Sequence, residues 1–163
     1  MKIIAIDPGI MTGYCFATLE DGHLTYVPYQ NVDDVDVLWA WLTEFEPRFI
    51  IIEDFEFRRG KGGVELFPVQ LIGVARLYSE IAEHDCGCFK QKAGTGKQYY
   101  TNPALKQLGL FKRGAAWEHA MDASRHLLQW CMFGYGNQFI GKQSAKEFAT
   151  MVDDLGFWRE KHG

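Results

Sequence analysis

The sequence has no apolar run approaching the ~20 residues needed to cross a bilayer, so no membrane-spanning helix is expected. Its opening, Met1-Lys-Ile-Ile-Ala-Ile-Asp7, lacks the long apolar segment and small-residue cleavage site of a secretory leader. The four cysteines, Cys15, Cys86, Cys88 and Cys131, stand at unrelated spacings rather than in a disulfide framework. A reduced, cytoplasmic protein without membrane association is the expectation. Repeats, low-complexity tracts and linkers are also missing. The 163 residues therefore read as a single domain, long enough to bury a core unaided.

A basic excess is lacking too: the formal net charge is -4, which taken alone speaks against a nucleic-acid partner. The distribution of charge reverses that reading. From Cys86 to Arg113 there is no Asp or Glu, while Lys90, Lys92, Lys97, Lys106, Lys112 and Arg113 follow one another. Arg58, Arg59 and Lys61 form a second cluster just after an acidic strand end. Phosphate binding needs local positive potential, not a basic average. Either cluster alone would be a solvated loop; together, and beside the acids below, they suggest a nucleic-acid surface.

Strand-like runs cover Lys2 to Asp7, Gly13 to Leu19 and His23 to Tyr29, separated by Pro8-Gly9 and Glu20-Asp21-Gly22. Val35, Leu38, Leu42 and Phe45 have helical spacing, and Pro47 closes that helix. Phe49 to Asp54 is a continuous apolar run ending in acids, as in a strand buried on both faces. A long helix from Val64 or Pro68 to Glu83 carries apolar residues on more than one face, which suits a central element or one covered by a second subunit. Cys86 to Gln91 reads as a fifth strand, followed by a loop rich in Gly and Lys and a short helix from Asn102-Pro103 to Gly109. Trp117 to Cys131 is an amphipathic helix, and Ser144 to Glu147 matches a capping box opening a last one. The expected fold class is α/β: a five-stranded mixed sheet, its first three strands antiparallel, flanked by helices on both faces.

Three acids occupy telling places. Asp7 ends the first strand, Glu53 ends the fourth, and Asp122 lies on the amphipathic helix with His119 three residues before it. Adjacent strand ends in an α/β sheet form the usual site crevice. Residues three apart on a helix sit about 60° apart, so His119 and Asp122 can face one point. Phosphodiester hydrolysis needs charge stabilised on the attacking and leaving oxygens, and carboxylates holding two divalent ions about 4 Å apart do this. Mg²⁺ favours such oxygen ligands. Singly, each acid is explained as a turn residue, a solvated strand end or a surface charge; the pattern as a whole is not.

Ile-Ala-Ile-Asp7-Pro-Gly-Ile-Met-Thr-Gly13-Tyr, Ile-Ile-Ile-Glu53 and His119-Ala-Met-Asp122-Ala resemble the RuvC family of Holliday junction resolvases, which have the RNase H-like fold. The stretch around Gln91 and the run His119-Ala-Met-Asp-Ala-Ser-Arg-His126 are most similar to the RuvC-like resolvases of tailed bacteriophages. The resemblance runs from Lys2 to about Leu128; residues 137–163 would be a C-terminal helical extension. It implies that Asp7, Glu53 and Asp122 hold two Mg²⁺ ions, with His119 as a nitrogen ligand or as a group polarising water or phosphate. A histidine ligand would make Mn²⁺ an effective substitute. It further implies a homodimer, seamed by the helix from Pro68 to Glu83, that places paired nicks in a four-way DNA junction in a bacterial or infected-host cytoplasm. Phe55 or Phe57 would stack on a base, and Arg58, Arg59, Lys61, Lys90, Lys92 and Lys97 would meet phosphates. A broader nuclease of branched DNA or structured RNA, and an inactive junction-binding protein, are the alternatives.

Three other readings fail. Ala93-Gly-Thr-Gly-Lys97 lacks the earlier Gly and following Ser or Thr of a P-loop, where Gln91 and Gln98 stand. Asp7-x-Gly with Thr12-Gly13 also resembles the phosphate motif of actin-like kinases, but those need two such domains. Cys86, Cys88 and His84 have no fourth partner nearby for zinc.

Overall fold

The computed structural model describes residues 1–9, 11–20, 23–31, 34–55, 66–97, 100–107 and 110–134. Five strands form one sheet: β1 (Lys2–Asp7), β2 (Thr12–Glu20), β3 (His23–Asn31), β4 (Phe49–Glu53) and β5 (Gly87–Gln91). Their spatial order is β3-β2-β1-β4-β5. β1, β2 and β3 pair antiparallel, as turns of two to four residues between strands require, while β4 and β5 add in parallel after helical crossovers. This is the mixed sheet expected from the sequence.

Alternation along β1 and β4 sorts the side chains into two cores. Ile3, Ala5 and Ile51 face the helix α4 (Glu118–Gln129), packing with Ala123, Leu127, Trp130 and Cys131. Ile4, Ile6, Ile50 and Ile52 face α1 (Val35–Phe45) and α2 (Phe67–Ile81), packing with Leu38, Leu42, Leu71 and Ala75. Hence β1 and β4 are apolar at nearly every position: both of their faces are covered. A smaller cluster of Tyr100, Leu105, Leu110, Met121 and Leu128 joins α3 (Asn102–Gln107) to the outer side of α4. α4 is thus enclosed on two sides, and even Ser124, Arg125 and His126 are buried.

Element ends follow local chemistry. Asp34 caps α1, its side chain accepting a hydrogen bond from the Val37 amide at 2.9 Å. Pro68 sits in the first turn of α2, where its missing N–H costs nothing. A turn of 3-10 helix (Ala115–Trp117) leads into α4, and a π-helical turn (Trp130–Gly134) follows it. Among the described residues no helix is long and apolar enough to cross a membrane. The helix expected from Ser144, and the extension 137–163, lie outside the described residues.

Candidate active site at the ends of the parallel strands

Strand register lines up one residue from each strand in a row across the sheet. Gln30 of β3 is the partner of Gly13 in β2, and Gly13 is the partner of Asp7 in β1. The β1–β4 register ends at Ile6 and Ile52, so the next step sets Asp7 beside Glu53; Glu53 in turn partners Gln91 of β5. Asp7, Glu53 and Gln91 share the pleat of Ala5, Ile51 and Phe89, so all three side chains rise toward α4.

α4 lies along this row. The Ala120 amide, in its first turn, donates to Gln30 Oε1 at 3.1 Å. A Cβ on Gly13 would stand 2.0 Å from the His119 carbonyl carbon and oxygen, so only glycine lets the helix backbone come so close. His119 Nδ1 then lies 2.8 Å from Asp7 Oδ2. Seven residues on, His126 Nε2 lies 2.7 Å from Glu53 Oε2 and its Nδ1 2.7 Å from Gln91 Oε1. Seven helical residues rise ~10.5 Å and return to the same face, close to the roughly 10 Å spanned by two strand spacings from β1 to β5.

The electrostatics follow from this crowding. Burial pushes the Asp7 carboxyl above its usual range; the His119 hydrogen bond pulls it back, and the negative charges of Glu53 and Asp122 add to the rise. The hydrogen bond to Asp7 raises His119 from 6.5, against a smaller opposing effect of burial. Asp122 is neutralised by bases: Lys97 Nζ lies 2.7 Å from Oδ2 and the Arg125 guanidinium 2.6 Å from Oδ1. Arg125 is itself fixed, donating to the Tyr100 carbonyl at 2.8 Å and to Asn102 Oδ1 at 2.5 Å. Lys97 is half exposed and follows Gly96, whose φ of +85° sets the turn and whose missing Cβ leaves room for the Arg125 carbonyl. A recess of about 420 Å³ on this flank is lined by Lys97, Asn102, Glu118, Met121, Asp122 and Arg125.

The sequence-predicted residues thus divide. Asp7 and His119 are in direct contact, and Asp7 feels the charge of both Glu53 and Asp122. His119 and Asp122 meet different partners, Asp7 on one flank and Lys97 with Arg125 on the other. Among the described residues no group of three His, Cys, Asp or Glu is gathered as a ready metal cage. Instead each acid has a basic neighbour, and like charges are held apart. Lys90 alternates with Phe89 and Gln91, which places it on the opposite pleat, where it bonds Asp54 at 3.0 and 3.1 Å. Phe55 packs half-buried against the core beneath α1 and α2. Lys92 is exposed. Phe57, Arg58, Arg59 and Lys61 lie outside the described residues. His126, Gln91, Gln30 and Arg125 were not singled out as site residues by the sequence; the signal for His126 is its place seven residues after His119, on the same face of α4.

No protein-family model matches the sequence, and no curated protein does. Solved structures of RuvC share its fold. RuvC of Thermus thermophilus in complex with a Holliday junction substrate aligns with a TM-score of 0.59 at 16% identity, covering 82% of this chain and 97% of that one. A structure of Thermus thermophilus RuvC aligns with a TM-score of 0.58, again at 16% identity and the same coverage. The chain therefore has the RNase H-like fold of RuvC, with the sheet order and helical layers described above.

Proposed function

We propose that the chain is a metal-dependent endodeoxyribonuclease that resolves four-way DNA junctions, acting as a homodimer that places paired nicks in opposed strands. The observation that carries this reading is the row of strand ends in which Asp7 and Glu53 stand side by side beneath α4, with Asp7 feeling the charge of both Glu53 and Asp122. A RuvC of the same fold has been solved on a Holliday junction, which supports the choice of substrate. The reading takes residues 1–163 as one nuclease domain with 137–163 as an appended extension.

The donor set fits a hard divalent cation. Among the described residues, Asp7 Oδ1 and Glu53 Oε1 make no hydrogen bond; burial chiefly raises the Asp7 carboxyl, and the nearby charges of Glu53 and Asp122 add to the rise, a repulsion that a bound cation would relieve. Asp7, Glu53 and Asp122 would hold Mg²⁺ or Mn²⁺, which when bound would supply charge stabilisation at the attacking and leaving oxygens of the phosphodiester. The chain's own groups set the rest. Asp7 accepts the Nδ1 proton of His119 and so orients the ring, leaving Nε2 as the nitrogen for a ligand or a water proton. Asp122 becomes available as exposed Lys97 swings away, since Arg125 is buried and anchored; Lys97 and Lys92 are then free to meet phosphates.

The test is incubation of the protein with a synthetic four-way junction, a flap and a fork in Mg²⁺ or Mn²⁺. Symmetrical paired nicks in the junction are expected, and Asp7→Asn or Glu53→Gln should abolish them while junction binding survives. Undiminished cleavage by Asp7→Asn overturns the site; equal cleavage of flap and fork replaces the resolvase with a general branched-DNA nuclease.

A further inference from the structure

His126 is a buried histidine for which the proposed reaction has no use. It is 1% exposed and lies near the C-terminal end of α4, among the apolar residues Ala123, Leu127 and Leu128. Yet both ring nitrogens are engaged, with Glu53 Oε2 and Gln91 Oε1, each at 2.7 Å. Glu53 and Gln91 are cross-strand partners, so the ring bridges the ends of β4 and β5. Burying an imidazole is costly, and a leucine would fill the same space without that cost, though it would leave Glu53 Oε2 against an apolar group. The polar choice therefore calls for an explanation beyond packing.

The contacts of Glu53 supply one. Its Oε2 accepts from His126 and more distantly from the Gly94 amide at 3.4 Å, while Oε1 has no partner among the described residues. One oxygen is tied and the other is left open. The ring cannot rotate to follow Glu53, because Gln91 holds its far side. We infer that His126 is a positioning residue: it fixes Glu53 by Oε2, with Gln91 as its anchor, and so presents Oε1 as the oxygen that takes a divalent cation. This deepens the nuclease reading above and rests on it. A ligating side chain locked by an outer partner needs no reordering when the ion arrives, which is how such partners raise affinity.

The experiment is calorimetric titration of the full-length protein with Mn²⁺ alone, alongside junction binding in EDTA and thermal melting. His126→Leu should weaken Mn²⁺ binding by about 10–100-fold, the usual effect of losing an outer-shell partner, with junction binding in EDTA unchanged. His126→Gln, whose amide nitrogen reaches the position of Nε2, should recover most of that loss. Gln91→Leu frees the ring's far side and should give an intermediate loss, and it decides the matter should His126→Leu melt too low to study. Unaltered Mn²⁺ affinity in His126→Leu, or equal losses in His126→Leu and His126→Gln, overturns the inference. If the unsubstituted protein binds no Mn²⁺ and Glu53→Gln matches it, the nuclease reading itself falls and the inference with it.

Discussion

At the scale of single residues, the Asp7–His119 pair sets how the metal-free protein responds to pH. Asp7 is nearly fully buried, and its charged form is tolerated because a charge-assisted hydrogen bond replaces the lost water. His119 has a folded-state pKa raised above 6.5 by that bond. Its contribution to stability is therefore fully present below about 6.5 and is lost as pH rises through the raised value. Asp7, also raised, works in the same sense: its ionised form is the strained one, and the strain eases as pH falls through its own titration. In urea unfolding without metal, the stability gap between the unsubstituted protein and His119→Gln should be widest at mildly acid pH. It should close toward alkaline pH, and a gap constant from pH 6 to pH 9 would remove the ion pair from the account. His119 is partly exposed, so solvent screening keeps the gap small.

At the scale of elements, the argument turns on how α4 is seated. Its periodicity and the strand ends were readable from the sequence, because apolar spacing reports which face is buried. What spacing does not report is the partner across the gap. Gly13 read as the first residue of a strand, yet its role is to let the α4 backbone lie against β2. Lys90 was expected to meet DNA, but strand parity with Phe89 and Gln91 turns it to the other face and onto Asp54. His126 was passed over because its partners, Glu53 and Gln91, lie 73 and 35 residues away and meet it only through the order β1-β4-β5. Gly13→Ala tests the seating. The added methyl meets backbone rather than a flexible side chain, so α4 must move, at a cost of about 1–3 kcal/mol or more. A melting temperature lowered by roughly 2–10 °C follows for a chain of this size. Because α4 carries His119, Asp122 and His126, Mn²⁺ affinity should fall as well, and a variant with native melting and native affinity would show that the helix is not held at Gly13.

At the scale of the whole molecule, α2 poses the open question. Pro68, Leu71, Ile72, Ala75 and Tyr78 face the sheet, as the core requires. Leu66, Val69, Leu77 and Ile81 are exposed at 57, 42, 52 and 57%, and at ~100° per residue they fall on one outward stripe about 120° wide. Gly73 lies within that stripe, and a Cβ there would touch nothing within 4 Å. Exposed Gln70 and Glu80 share the stripe, but four large apolar side chains with a small residue among them are more than a solvated face needs, and they suit the crossing of a second copy. The sequence already showed too many apolar positions for one face, and the fold shows which of them are left outward. A dimer on this stripe would bring together two crevices, each with its own Asp7 and Glu53, as the paired cutting proposed above requires. Leu77→Glu with Ile81→Glu should therefore leave circular dichroism unchanged, since both side chains are outside the core. Sedimentation should shift the protein from dimer to monomer. On a plasmid carrying an extruded cruciform, the linear product of two coordinated nicks should give way to nicked circles, while each monomer still cuts one strand. A double variant that remains dimeric and still yields linear plasmid would place the seam elsewhere, and retained linear product from a proven monomer would uncouple paired cutting from the dimer altogether.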